Sequence, residues 1–134
     1  TAPGSSKKVI TVGSSDLLEG RSAISGRGPT TECVCKPDIV APGNRIMSCV
    51  PGKPFSYGVK SGTSMSTPLV TGAIACGLDL GSGCGPLNHM YRLKSDSLTN
   101  TDIKTMLMNS ADDLGLPRNQ QGWGRFNRRR FLGM

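Results

Sequence analysis

Between Ser64 and about Leu80 the chain carries Met65, Leu69, Val70, Ala73, Ile74, Ala75 and Leu78, apolar positions spread over more than one face of a helix. A helix of that kind has to be covered on several sides, so the spacing predicts a buried helix over 64–80. Pro68 is expected in its first turn, where the missing N–H would have no partner anyway. Ser64 is thereby placed at a helix N-terminus. Unpaired backbone N–H groups and the positive end of the helix dipole there favour a developing negative charge.

The residues before this helix read as strands. Lys7 to Gly13 (KKVITVG) has a β-branched centre bounded by polar residues and glycine, a strand signal. Ile39-Val40-Ala41 and Ile46 to Val50 are further short apolar runs, and Pro42-Gly43-Asn44 between them predicts a tight turn. After Pro51-Gly52, the segment Phe55 to Val59 completes a last extended pair before Ser64. Beyond the helix, Gly81 to Pro86 is mostly glycine and proline and opens a loop running to about Ser97. A second helix is expected at Thr99, which can cap it with Asp102 three residues on. Ile103, Met106, Leu107 and Ala111 give that helix a single apolar stripe, as on a surface helix. The chain therefore reads as α/β in four stretches: strand-rich 1–62, helix 64–80, loop 81–97, and C-terminal helix and tail 98–134. No internal repeat interrupts this order.

Composition narrows the function classes. No run of some 18 apolar residues is present, so no membrane span is expected. Of the net charge of +7, five positive charges sit on Arg118, Arg125, Arg128, Arg129 and Arg130 near the C-terminus. A basic tail can bind nucleic acid, but no second basic element accompanies it, and a solvated terminal segment is the expected reading. Cys33, Cys35, Cys49, Cys76 and Cys84 are odd in number, so they cannot all pair within the chain. Cys33-Val34-Cys35 lacks the two-residue spacer of zinc and redox motifs. Cys76 is expected to be a small buried hydrophobe. Asp112 and Asp113 could be read as calcium ligands, but they lack calcium-loop spacing and are expected to be solvated. No metal or cofactor is expected in this chain.

The run Gly62-Thr63-Ser64-Met65-Ser66-Thr67, followed by Pro68, resembles the nucleophile motif of subtilisin-like serine proteases, the subtilases. Other blocks resemble landmarks of the same family in the family's order: Val9 to Gly13, Arg27-Gly28-Pro29, Lys36 to Gly43, Ser61 to Pro68, and Gly122 to Asn127. The residues from Gly81 to Lys94 look like an insertion atypical of the family. The resemblance implies the C-terminal half of a parallel-sheet, three-layer domain, with Ser64 as the acylated nucleophile. It also implies Ser64 N–H as one oxyanion donor, and Gly62, Thr63 and Met65 around the reacting site.

In the family the triad runs Asp, His, Ser along the chain, which implies that the acid, the base and an oxyanion asparagine lie upstream of these residues. His89, the single histidine, follows the serine and does not match the base. Asp38 falls in the Lys-Pro-Asp block, where the family order makes it structural, and Asn44 is not in the context of the oxyanion asparagine. Leu69 stands where the family commonly has a histidine that is not the base. The implied partners are a peptide or protein substrate and either the upstream half of the domain or a second copy of the chain. Calcium is compatible with the parent protein, and a mostly secreted family favours an extracellular location. Two other readings stay open: a non-catalytic subtilase relative acting as a binding or regulatory protein, and a module that binds through its basic tail.

Overall fold

The computed structural model describes residues 2–16, 25–79 and 98–134. The loop expected over 81–97, with Cys84 and His89, lies outside the described residues. The elements are β1 (Val12–Ser15), β2 (Ile39–Pro42), β3 (Ile46–Cys49), β4 (Tyr57–Lys60), α1 (Thr63–Leu78), α2 (Asn100–Ser110), α3 (Arg118–Gln121) and α4 (Arg128–Leu132).

β1 and β2 pair in parallel with Val12 opposite Ile39, and β3 and β4 form an antiparallel hairpin with Ile46 opposite Lys60. On the other side of β2, Val40 N–H donates to Gly124 O at 3.0 Å and accepts at its own carbonyl from Phe126 N–H at 2.7 Å. The sequence blocks around Ile39 and Trp123 are therefore neighbours in space. Gly122 is required at this junction, because φ is +64° and a side-chain carbon there would run into the Pro37 and Asp38 carbonyls.

The first strand begins later than the apolar pattern suggests. The ladder starts at Val12 opposite Ile39, with Thr11 O accepting from Asp38 N–H at 2.9 Å, and carbonyls further upstream are taken by side chains. Val9 O accepts from Lys36 Nζ at 2.9 Å and from Lys104 Nζ at 3.3 Å, while Lys7 O accepts from Lys104 Nζ at 2.9 Å. Asp38 is the hub of this region. Its carboxylate accepts from Thr11 N–H at 2.7 Å and bridges Lys36 Nζ and Lys104 Nζ, each at 2.8 Å. Burial pushes the Lys36 ammonium below the usual lysine pKa, against the pull of Asp38, which favours the charged form.

One core serves all these elements. Val12, Ile39, Ala41, Val70, Ala73, Met106, Leu107 and Phe131 cluster together. α1 lies against β1, β2 and α4, and α2 lies against α4. α2 starts as expected: Thr99 Oγ1 accepts from Asp102 N–H, and the Asp102 carboxylate accepts from Thr99 N–H. This reciprocal cap contributes about 1 kcal/mol.

Three expectations need correction. α1 is covered along one face only, through Ser66, Val70 and Ala73 at i, i+4 and i+7. Leu69 and Leu78 are 45% and 38% exposed, and Cys76 is exposed rather than buried, because the sheet and α4 reach only that face. Pro68 lies in the second turn, since the helix begins at Thr63. It therefore removes the bond that would have satisfied Ser64 C=O. Lastly, the arginine-rich end is folded. Phe131 is 1% exposed and meets Phe126 edge to face at 5.7 Å, Arg118 stacks 3.4 Å over the Trp123 ring, and Arg130 pairs with Asp112 at 3.2 Å. Apolar anchors at Phe126 and Phe131 hold the tail down, leaving Arg128 and Arg129 exposed.

Candidate active site

Gly62, Thr63, Ser64 and Met65 meet where β4 gives way to α1. Gly62 caps the helix in an extended conformation, and its N–H donates to Gly43 O at 2.8 Å while its carbonyl accepts from Met65 N–H at 2.9 Å. Ser64 is the second residue of α1 and is exposed to solvent. Its N–H belongs to the first turn, where no intrahelical acceptor exists. An exposed hydroxyl and an amide N–H with no intrahelical acceptor thus come from one residue at the positive end of a helix dipole.

The two neighbours face different surroundings. Thr63 borders a cleft of about 710 Å³ that is also lined by Pro3, Thr11, Ser25, Arg27 and Pro29. Met65, with Pro68 and Leu69, borders a groove of about 380 Å³ against Ile46, Met47 and Val50 of the β3–β4 hairpin. The base of the hairpin is latched beside the serine: Ser61 Oγ donates to Asn44 Oδ1 at 2.9 Å and accepts from Arg45 N–H at 2.8 Å. Asn44 Nδ2 donates to Asp16 at 2.8 Å, so both ends of this amide are engaged away from Ser64.

The acidic residues weighed from the sequence have structural partners. Asp38 is held in its two-lysine network. Asp112 accepts from Asn127 Nδ2 at 2.9 Å and pairs with Arg130. Asp113 accepts from Gly115 N–H and Gln121 Nε2, each at 2.8 Å, and these bonds, Gly115 first, hold its carboxyl below the usual carboxylate pKa. Gln121 also donates to Leu116 O and accepts from Leu114 N–H at 2.8 Å, so the 112–121 turn closes on itself. His89 lies outside the described residues. No imidazole adjoins Ser64 among the described residues.

Residues 1–124 match the model of the subtilase family. The chain belongs to the subtilase family. It is 37% identical over 108 residues to cerevisin of Saccharomyces cerevisiae, a match covering 81% of this chain and 16% of cerevisin. To the minor extracellular protease Vpr of Bacillus subtilis it is 33% identical over 119 residues, covering 81% of this chain and 13% of that protein. The solved structure of the Clostridium perfringens CspB protease superimposes with a TM-score of 0.78 at 34% identity, over 96% of this chain and 27% of that one. The mixed α/β arrangement, with its parallel strand pair and nucleophile-motif helix, is that of a partial subtilase domain. This subtilase chain spans less than a third of the length of these relatives.

Two contacts beside Ser64 leave no signal in the sequence. One is the bond from Gly62 N–H to Gly43 O, since Pro42-Gly43 reads only as a turn. The other is the Asn44–Ser61 latch, which joins residues 17 apart.

Proposed function

We propose that this chain carries the nucleophile of a serine endopeptidase whose acid, base and second oxyanion donor come from an upstream half of the same domain. The observation that carries this reading is the exposed Ser64 at the first turn of α1, its own amide unpaired within the helix. Ser64 Oγ attacks the carbonyl carbon of a peptide bond while an upstream histidine takes the hydroxyl proton. Ser64 N–H and an upstream asparagine side chain hold the oxyanion. The histidine then returns the proton to the leaving amine, and water releases the acyl group from Ser64. Thr63 and Met65 border the substrate on either side.

The upstream half also has a structural task. The open face of α1, with Leu69 and Leu78, and the groove beside Met65 present apolar surface that this half covers, or that a second copy covers when the chain is alone. The parent protein is proposed to act outside the cell, as its Bacillus relative is named an extracellular protease. Calcium, if the parent protein binds it, is assigned outside the residues described.

Fluorophosphonate labelling tests the proposal. The chain alone is expected to stay unlabelled, and the chain produced together with its upstream half is expected to take one label on Ser64, read by mass spectrometry. An assembled protein that hydrolyses peptides while Ser64 stays unlabelled contradicts it.

A further inference from the structure

We infer that Gly43 is a positioning residue for the nucleophile turn, an inference that rests on the reading of Ser64 given above. Gly43 follows the end of β2 and makes two backbone hydrogen bonds, one to the turn and one to β1. Its carbonyl accepts from Gly62 N–H at 2.8 Å, and its own N–H donates to Ser15 O at 3.2 Å. The turn that presents Ser64 is therefore tied through one residue to the end of β1.

The space around Gly43 is closed. A side-chain carbon built on it would collide with Ser66 Oγ and Ser14 Oγ and lie 2.7 Å from Gly62 O. Ser14 and Ser66 are 1% and 0% exposed, and neither hydroxyl has a hydrogen-bond partner among the described residues. Gly43 thus sits beside two buried hydroxyls without partners among the described residues, each a cost to folding. The compensating gain is position. The Gly62 carbonyl opposite Gly43 is the same group that accepts from Met65 N–H, so pushing it away tilts the first turn that carries Ser64 Oγ and Ser64 N–H.

Gly43 touches no reacting atom, and its effect runs through Gly62. A misplacement of about 1 Å at a reacting group costs about 10²-fold in rate. The hydroxyl collisions can be separated from the carbonyl contact, because Ser14→Ala and Ser66→Ala remove the former and leave Gly62 O in place.

The test uses the assembled protein, this chain with its upstream half, carrying Ser14→Ala and Ser66→Ala as background, with and without Gly43→Ala. Adding Gly43→Ala is expected to slow fluorophosphonate labelling of Ser64 and to lower kcat by about 10²-fold relative to that background. KM is expected to stay within about threefold, the pattern of an interaction used in the transition state, with a cooperative thermal transition retained. Labelling at the background rate overturns the inference while leaving the Ser64 reading intact. Loss of folding on adding Gly43→Ala overturns it as well, since Gly43 is then a folding residue only. A wild-type assembly that hydrolyses peptides without labelling at Ser64 removes the Ser64 reading, and this inference with it.

Discussion

Ser64→Ala in the assembled protein is expected to lower kcat for peptide hydrolysis by about 10⁶-fold, with KM changed by no more than about threefold. Losing the serine or the histidine of a subtilisin triad costs about 2 × 10⁶ in kcat, nearly as much as losing the whole triad, because the members act as a unit. The substitution removes one oxygen from an exposed position and leaves the Gly62–Gly43 bond and the buried face of α1 untouched. Folding is therefore expected to be unchanged. The chain without its upstream half should show a deficit of the same order, since its single histidine, His89, follows the serine and does not match the family's base. Steady-state hydrolysis of a fluorogenic peptide, with the variant carried through the same purification, measures both. A loss of less than tenfold on Ser64→Ala would assign the chemistry to another residue.

Asp38→Ala is expected to destabilise the assembled protein by about 3–5 kcal/mol, the scale for removing one partner of a buried ion pair. Asp38 is 7% exposed and its carboxylate neutralises two ammonium groups, one of them on Lys36, a residue only 6% exposed. Without it, Lys36 keeps a single neutral acceptor, Val9 O, and Thr11 N–H loses its partner. The three elements that meet there, the run into β1, the start of β2 and α2, lose their common anchor. Lys36→Met should cost less, because Lys104 still pairs with Asp38 and the ammonium that burial most penalises is gone. Urea denaturation of both variants checks the order. Equal midpoints for Asp38→Ala and wild type would show that the network contributes no net stability.

The residues that read clearly from the sequence were those whose signal is local. Thr99 with Asp102 marks the start of α2, because a cap and its partner lie three residues apart. The Ile39 and Ile46 segments mark β2 and β3 as short apolar runs separated by a turn. Ser64 stands at a helix N-terminus because the pattern switches from strand to helix beside Gly62. What the sequence hid depends on neighbours distant in the chain. The start of β1 is set by its pairing with β2 at Ile39, while Lys36 and Lys104 take the carbonyls of residues 9 and 7. The cover on α1 is set by how far the sheet and α4 extend, so an apolar pattern on several faces, with Leu69 and Leu78 in it, met only one covering surface. The arginine-rich end carries Phe126 and Phe131, and their burial outweighs the charge beside them.

The nucleophile assignment is tested most directly by trapping the acyl-enzyme. The assembled protein is mixed with a slowly deacylating ester, quenched in acid within the first turnover and digested, and the peptide spanning Gly62 to Pro68 is fragmented in the mass spectrometer. One acyl group per chain is expected, on Ser64 and not on Ser66, with a burst of leaving group of equal size. Turnover of the ester with no acyl group on Ser64 at any quench time would contradict it.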